Sequence, residues 1–509
     1  MTALTVAGMI LVLAAIIGVG LYSGRKVNDA GDFLTGGGKA GPWLVCGTIM
    51  GSLVSSQAMI GTAQLAFHYG LAAWWFTLGS GIGCLILALG YALPLRHSGC
   101  VTELQIVSKE YGAFAGSIGS VLCSVGIFIS VLAQVVACVG LITVLFPSCT
   151  ILAAAVISVG IMCFYVIFGG AWGAGMGGVT KLLLLYAASV IGMVCALLAA
   201  GGASGLLDSL NTLLSGTELG SIQEMAGLSN LMDGSDIAQR FLNLTSRGVS
   251  KDIGSGLSLL LGVLSTQTYA QAIWSAETDK KAKKGALLSA ALIPPIGIAS
   301  ICIGLFMRSH YILQEEADAL LQMGMSVPDL PVLESTIQVF PAFVVNHLPP
   351  LLAGMVLGTL LITVVGGGAG LSLGMATIML KDIYKRVTKR IDTPKKELTV
   401  TRWTIAAILV TAVIITTTVS GGVINDFGFL SMGLRGTVVF LPMSCAIWLP
   451  GKIDRRLIVV SIVIAPVAVL LGTLLKLPFD PLFLGVAVSA LCCGVGFEIA
   501  RKTKQRLAS

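Results

Sequence analysis

Two basic side chains lie inside long apolar runs, where an ionisable group is uncommon and is often functional. Lys181 stands near the start of the run 179–201, and Arg435 lies within the run 427–449. A charge at that depth in a bilayer costs several kcal/mol unless it faces a partner, a cavity or the interface. A buried lysine is a plausible proton carrier, and the planar fork of an arginine fits a carboxylate. These two residues are the first functional candidates.

Two other apolar runs are interrupted at their centres by residues that loosen a helix. The first interruption covers residues 51–57, from Gly51 to Gln57, and the second covers residues 262–268. Five predicted spans separate the starts of these two elements, so we expect them to run in opposite directions. Such a pair points to a binding site near the bilayer midplane, where unwound carbonyls and half-helix ends hold an ion or a polar solute. Alternatively, the small residues allow neighbouring helices to pack closely. That alternative accounts well for a single interruption and less well for a matched pair.

Polar side chains near the interruptions are the candidate solute ligands. They are Ser55, Ser56, Gln57 and Gln64 on the first element, Gln134 on the fourth span, and Gln267 and Gln271 on the second element. Amides hydrogen-bond sugars, amides and carboxylates alike, so the solute class stays open. Arg435 is a further candidate, for a substrate carboxylate. Alternatively, it pairs with Asp426 or reaches the outer interface.

The elements that carry these residues are transmembrane helices. Of the 509 residues, 56% are hydrophobic and 11% are charged, which is too little charge for a soluble protein of this length. The apolar runs are about twenty residues long and do not alternate, as expected for helices. We predict thirteen spans, at 4–22, 42–68, 71–95, 113–143, 150–169, 179–201, 253–275, 285–307, 348–380, 403–420, 427–449, 457–475 and 482–500.

The distribution of basic residues predicts the orientation of the chain. Twenty-four of the 31 Lys and Arg residues fall in loops on one side of the predicted spans, and five fall on the other side. Cytoplasmic loops carry the Lys and Arg excess, so we place the amino terminus outside and the carboxyl terminus in the cytoplasm of a cell-membrane protein. This bias also explains the net charge of +7 without nucleic-acid binding.

Several other classes of function lack support in the sequence. No Ser/His/Asp set, HExxH or Walker motif indicates an enzyme, and no cofactor or metal motif accompanies the twelve Cys residues. A channel is a rival, but the chain has no repeated filter sequence. A solute sensor on the same fold is another rival, and the nine residues after the last predicted span hold no signalling domain. We therefore predict a secondary carrier of unknown oligomeric state.

Several segments resemble motifs of the bacterial sodium/solute symporter family. They are residues 31–38 before Gly41-Pro42-Trp43, residues 55–61, residues 269–277 with Lys283-Lys284-Gly285, residues 169–172 and residues 381–385. The resemblance covers about residues 1 to 450. It implies a five-plus-five inverted repeat, with the repeats at 42–201 and 253–449. We expect a peripheral helix and linker at 1–41, an extracellular loop at 202–252 and peripheral helices at 450–509.

The resemblance also implies where a coupling sodium ion would bind and shows that this site has changed. The family ligands correspond here to the carbonyls of Gly51, Val54 and Thr363 and to two hydroxyl positions that are occupied by Gly366 and Gly367. A nearby family Asp corresponds to Gly178, three residues before Lys181. A hard cation needs several oxygen ligands, and two glycine side chains offer none.

These departures favour a carrier that is not coupled to sodium. The hypothesis is that the Lys181 ammonium replaces the ion, as a lysine does in some proton-coupled carriers of the same general fold. The alternatives are that Lys181 only snorkels to water, or that sodium coupling persists with altered ligands. In either case the expected partners are a small organic solute, Na+ or H+, and the lipid bilayer.

Overall fold

The protein is built almost entirely from helices. The computed structural model describes residues 2–24, 38–146, 148–216, 240–385, 393–417 and 424–508, so the motif at 31–37 lies outside the described residues. The α-helices are α1 (Ala3–Gly24), α2 (Pro42–Leu53), α3 (Thr62–Tyr69), α4 (Trp75–Ile86), α5 (Ala92–His97), α6 (Glu103–Tyr111), α7 (Ala113–Leu145), α8 (Ile151–Ala199), α9 (Gly202–Gly216), α10 (Val249–Val263), α11 (Gln267–Ser275), α12 (Asp279–His310), α13 (Gln314–Gln322), α14 (Val339–His347), α15 (Pro350–Ile378), α16 (Pro394–Thr416), α17 (Ile424–Trp448), α18 (Arg455–Leu474) and α19 (Pro481–Ala508).

Short irregular elements complete the fold. Residues Gln57–Gly61, Leu87–Tyr91 and Met379–Tyr384 are π-helical, and Gly70–Trp74 and Thr336–Gln338 are 3-10 helices. The strands β1 (Ile312–Leu313) and β2 (Val332–Leu333) form a small parallel pair beside α13.

Both predicted helix interruptions are present. Helix α2 ends at Leu53, where Val54 leaves the helical region with a ψ of 85°, and helical structure resumes in the π-helical segment from Gln57. Helix α10 ends at Val263, Thr266 is extended, and α11 begins at Gln267. Gly, Ser and Thr are poor helix formers, and each helix breaks where these residues cluster.

The two broken helices run in opposite directions. Ala40, just before α2, forms a β-bridge with Ala276, just after α11. At the other end, the Ser246 hydroxyl, shortly before α10, donates to the carbonyl of Tyr69, the last residue of α3. The start of each element therefore lies beside the end of the other, as an inverted repeat requires.

One helix differs from the predicted spans. Helical backbone continues through Ile151–Ala199, where we predicted separate spans at 150–169 and 179–201. Tyr165 and Leu184 both pack against the pair Val12 and Ile362. The apolar stretches Ile151–Val166 and Gly178–Ala199 of this helix correspond to the two predicted spans.

The number of spans agrees with the prediction. Nine helical stretches of the described residues are long and apolar enough to cross a membrane, and shorter apolar helices occur in Ala3–Ala15, Pro42–Leu53 and Ile151–Val166. The second broken helix adds one more span, because each of its halves is short. Together these elements are consistent with thirteen spans.

Candidate functional site

The Lys181 ammonium lies at the break of the first helix. Its Nζ donates to the carbonyl oxygen of Gly51 at 2.6 Å and to that of Thr363 on α15 at 3.0 Å. The side chain is 3% exposed, so it does not reach water as the snorkelling alternative required. The space beside it, lined in part by Val54 and Gly178, has no room for a water molecule. Lys181 thus bonds two of the three carbonyls that the resemblance assigns to sodium.

Glycines on the neighbouring helices make this close approach possible. A Cβ on Gly178 would lie 2.0 Å from the carbonyl oxygen of Gly47, so no side chain fits there without a backbone shift. A Cβ on Gly367 would lie 2.6 Å from the Cβ of Ser55. At Gly366 there is more room, since an added Cβ would be 3.6 Å from Nζ of Lys181. A side chain is therefore blocked at Gly178 by the backbone of Gly47 and at Gly367 by the side chain of Ser55.

Three predicted solute ligands form one hydrogen-bonded group at the same break. The Gln134 amide accepts from the Ser56 hydroxyl at 2.7 Å and donates to the Ser55 hydroxyl at 3.0 Å. All three residues are buried. In this conformation their polar groups satisfy one another, and their contact with solute stays a prediction.

Three further predicted ligands are spread along the pathway. Gln64 donates to the Thr336 hydroxyl and accepts from the backbone N–H of Ile424, so it ties elements on the predicted outer side. Gln271 donates to the Thr377 hydroxyl on α15. The Gln57 amide nitrogen is buried and has no hydrogen-bond partner among the described residues. These three side chains do not converge on one point. Each of them lies on a broken helix.

Each residue of the second break is held by a different element. The Cys123 thiol of α7 lies 4.0 Å from the Ser265 carbonyl oxygen, and Arg435 donates to the Thr266 hydroxyl at 2.8 Å. Gln267 donates to the Val101 carbonyl at 2.8 Å and accepts from the backbone N–H of Glu103. The break is therefore positioned by α7, by α17 and by the segment that leads into α6.

Arg435 is fully buried at this second break. Besides Thr266, its guanidinium donates to the hydroxyls of Ser130 and Ser431 at 3.1 and 3.0 Å. It does not pair with Asp426 or reach the surface, so both structural alternatives for this residue are wrong. No carboxylate of the described residues lies within ion-pair distance of it, and its guanidinium donates to these hydroxyls, to the Ser431 carbonyl and to the Met432 sulfur.

Helix α7 connects the two breaks through residues one turn apart. Gln134 bonds the first break, and Ser130 bonds the Arg435 side chain at the second. Residues four apart share a helix face, so these two side chains lie one above the other. One face of α7 therefore links the break that Lys181 bonds to the break that Arg435 bonds.

Three buried acidic residues were missed from the sequence: Asp252, which pairs with Arg247, and Glu103 and Asp382, which lie at or near the two ends of the α6 attachment. Glu103 is 2% exposed and Asp382 is 1% exposed. Asp382, at the π-helical end of α15, accepts from Thr102 Oγ1, Gln105 Nε2 and Ser120 Oγ. Burial raises the pKa of Glu103 well above its usual value, while the charge of Arg435 opposes that rise. The sequence did hold one sign that Glu103 is buried. It lies three and four residues before Ile106 and Val107, and so on the apolar face of α6.

Comparison with solved structures gives the same architecture. A substrate-bound, outward-open Na+-coupled sialic acid symporter superposes with a TM-score of 0.74 and 17% sequence identity, covering 98% of each chain. Mhp1, a nucleobase-cation-symport-1 family transporter, matches in a closed conformation with bromovinylhydantoin bound. The TM-score is 0.53 and the identity 15%, over 92% of this chain and 95% of that one. At these identities the likeness shows the fold alone.

Sequence comparison supplies the family. No curated protein sequence matches the chain. The family model described as "Sodium:solute symporter family" matches residues 33–443, which is most of the chain and includes both helix breaks. The resemblance and the transporter class predicted from the sequence are thereby confirmed, and the protein is a transporter, not an enzyme. This chain belongs to the sodium:solute symporter family.

Proposed function

We propose that this protein is a secondary carrier of a small polar organic solute in which the Lys181 ammonium replaces the coupling sodium ion. The observation that carries the proposal is the pair of hydrogen bonds from Nζ to the carbonyls of Gly51 and Thr363. The ammonium is a monovalent cation on oxygen ligands, and it joins the same two helices that a bound sodium ion would join.

A fixed ammonium at this position opposes sodium binding directly. Two unit charges about 3 Å apart repel each other by about 5 kcal/mol at an effective dielectric constant of 20. Lys181 already uses two of the carbonyl ligands, and Gly366 and Gly367 contribute no hydroxyl. Sodium would therefore meet a repelling charge and an incomplete ligand set.

Unpaired polar atoms at both breaks support solute binding between them. Gln57 Nε2, Ser265 Oγ and Thr363 Oγ1 are buried and have no hydrogen-bond partner among the described residues. Buried polar groups in native proteins are almost always paired with protein, water or ligand. We therefore assign the solute contacts to the polar layer that Ser55, Ser56, Gln57, Gln134, Gln267, Gln271 and Arg435 form around the breaks, and we assign Gln64 to its outer edge.

The test is uptake by purified protein in liposomes with the sodium and proton gradients imposed separately. Solutes are first selected by thermal-shift screening against sugars, amino acids, carboxylates and vitamins, since a ligand of the native state raises its apparent stability. We expect saturable uptake with counterflow and no stimulation by an inward sodium gradient. Strong sodium stimulation contradicts the role of Lys181, and absence of counterflow contradicts the carrier mechanism.

A further inference from the structure

A cavity on the predicted outer side is lined by residues that the proposed carrier mechanism does not use. Its volume is about 130 Å³, and its walls come from the start of α10, from α17, from the end of α18 and from the start of α19. None of the lining residues belongs to either helix break. Helices α18 and α19 also lie outside the two predicted repeats, so this cavity is separate from the region around Lys181.

A buried arginine with a spare hydrogen-bond donor lines the cavity. The side chain of Arg247 is 2% exposed, and its Nε donates to Asp252 at 2.6 Å. Nη2 donates to the Ser255 hydroxyl at 3.0 Å, and the guanidinium carbon lies 5.2 Å from the ring centre of Phe429. Nη1 is buried and has no hydrogen-bond partner among the described residues. Because buried polar groups are almost always paired with protein, water or ligand, this fixed guanidinium has a donor left for a bound acceptor.

Charged side chains of both signs line the same cavity. Lys251 lies on the α10 wall, and Asp426 lies on the α17 wall, three residues before Phe429 and so on the same helix face. Both are exposed, and neither forms an ion pair with another described residue. Asp480 lies just before α19, and its backbone N–H donates to a serine hydroxyl of α10 at 3.0 Å. Together with the guanidinium, these groups give the cavity two positive and two negative side chains.

We propose that this cavity is a binding site for a small zwitterion of amino-acid size, separate from the transported solute's site. The carboxylate of the ligand binds Arg247 and Lys251, and its ammonium binds Asp426 and Asp480. A lone anion would be repelled by the two acids, and a lone cation by the two bases. A zwitterion meets the opposite charge at each end and forms charge-assisted hydrogen bonds there, which are stronger than neutral ones.

The size of the cavity selects a small ligand. A protein cavity of about 150 Å³ holds benzene, which has about six heavy atoms. The cavity here, at about 130 Å³, therefore has room for a molecule such as glycine or alanine and is too small for a phospholipid headgroup with its glycerol. Val469 and Leu482 line it and are buried, so they offer an apolar surface to a short aliphatic group.

The ligand class is tested by calorimetric titration of the detergent-purified full chain. The probes are glycine, L-alanine and β-alanine, each compared with its N-acetyl form, which is an anion, and its amide form, which is a cation. We expect at least one zwitterion to bind. Its two single-charge forms should bind at least about tenfold more weakly, because each loses charge-assisted hydrogen bonds at one end.

The location is tested by filling the cavity and by removing its exposed charges. Thr473 is an exposed residue of the α18 wall, so Thr473→Phe should fill the cavity and abolish binding without disturbing the fold. Thr411→Phe is the matched control, because Thr411 is exposed on α16 and does not line the cavity. Lys251→Gln and Asp426→Asn should each weaken binding by about two- to fivefold, as expected for exposed ion pairs. Lys476→Gln, at an exposed residue near the cavity but outside its lining, should bind as the wild type does.

The outcomes are distinct from those that test the proposed function. The inference is wrong if no zwitterion binds, if the single-charge forms bind equally well, or if Thr473→Phe binds as the wild type does. Affinity that both charge variants leave unchanged contradicts the assigned contacts. Binding of glycerophosphoethanolamine without binding of any amino acid would make the cavity a lipid headgroup site and overturn the inference. None of these results bears on the role of Lys181, which is tested by the response of uptake to sodium.

Discussion

The Nζ of Lys181 lies 2.6 Å from the carbonyl oxygen of Gly51, so a side chain from the middle of α8 closes the unwound end of α2. The same ammonium reaches Thr363 on α15 at 3.0 Å. Three helices, α2, α8 and α15, are therefore joined at one ammonium group. This arrangement makes Lys181 a link between them whether or not its charge ever changes.

Replacing Lys181 by Met should lower uptake by at least about tenfold. The change removes the charge and leaves two buried carbonyls without donors, at a cost of about 1–3 kcal/mol for each unsatisfied group. The measurement is initial uptake by proteoliposomes with matched protein content. Lys452→Met is the control, since Lys452 is exposed in the loop after α17. Equal uptake by both variants would show that Lys181 has no part in transport.

Restoring one hydroxyl ligand after removing the ammonium should create a response to sodium. The double variant Lys181→Ala with Gly366→Ser would offer a sodium ion the carbonyls of Gly51 and Thr363 and a new hydroxyl. There is room for the serine side chain, because a Cβ at position 366 would lie 3.8 Å from the Gly51 oxygen. We expect sodium to stabilise this variant by about 1 kcal/mol at five times its Kd.

The measurement for this variant is the unfolding temperature in sodium chloride against choline chloride at equal ionic strength. Lys181→Ala with Gly366→Ala is the matched control, because it adds the Cβ without the hydroxyl. A sodium response in the control as large as in the serine variant would show that the hydroxyl is not a ligand.

Much of this site could be predicted from residue types and from the family resemblance. Clusters of Gly, Ser and Thr mark both helix breaks, and Lys181 was singled out because it is a charge in an apolar run. The lost sodium ligands at Gly366 and Gly367 followed from the alignment of motifs. These features depend on local sequence, which a single chain displays directly.

Other features depend on tertiary contacts that no local pattern encodes. The mutual pairing of Ser56 and Gln134 joins residues 78 positions apart. Glu103 and Asp382 lie outside or at the ends of the predicted spans, where acidic residues are ordinarily solvated. Their burial becomes visible only when α6 is docked against α7 and α17. The contact of both Tyr165 and Leu184 with Val12 and Ile362 is likewise a tertiary feature that the sequence does not display.

Adding a methyl group at Gly178 should destabilise the protein. The new Cβ would lie 2.0 Å from the carbonyl oxygen of Gly47, a backbone atom that cannot rotate away. Overpacking of this kind costs about 1–3 kcal/mol, so Gly178→Ala should lower the apparent unfolding temperature. Gly160→Ala is the control on the same helix, because nothing lies within 4 Å of its Cβ position. If the two variants unfold at the same temperature, helix α8 does not pack against α2 as closely as described.

Replacing Asp382 by Asn should loosen the attachment of α6 to the end of α15. The carboxylate accepts from Thr102, Gln105 and Ser120, and an amide group would turn a donor toward at least one of these donors. Hydrogen bonds to a charged group contribute about 1.5–3 kcal/mol each, so the unfolding temperature should fall clearly. Asp318→Asn is the control, because Asp318 is exposed on α13 and its loss should have little effect. An unchanged unfolding temperature for Asp382→Asn would mean that the apolar residues Leu104, Ile106 and Val107 hold α6 in place without the carboxylate.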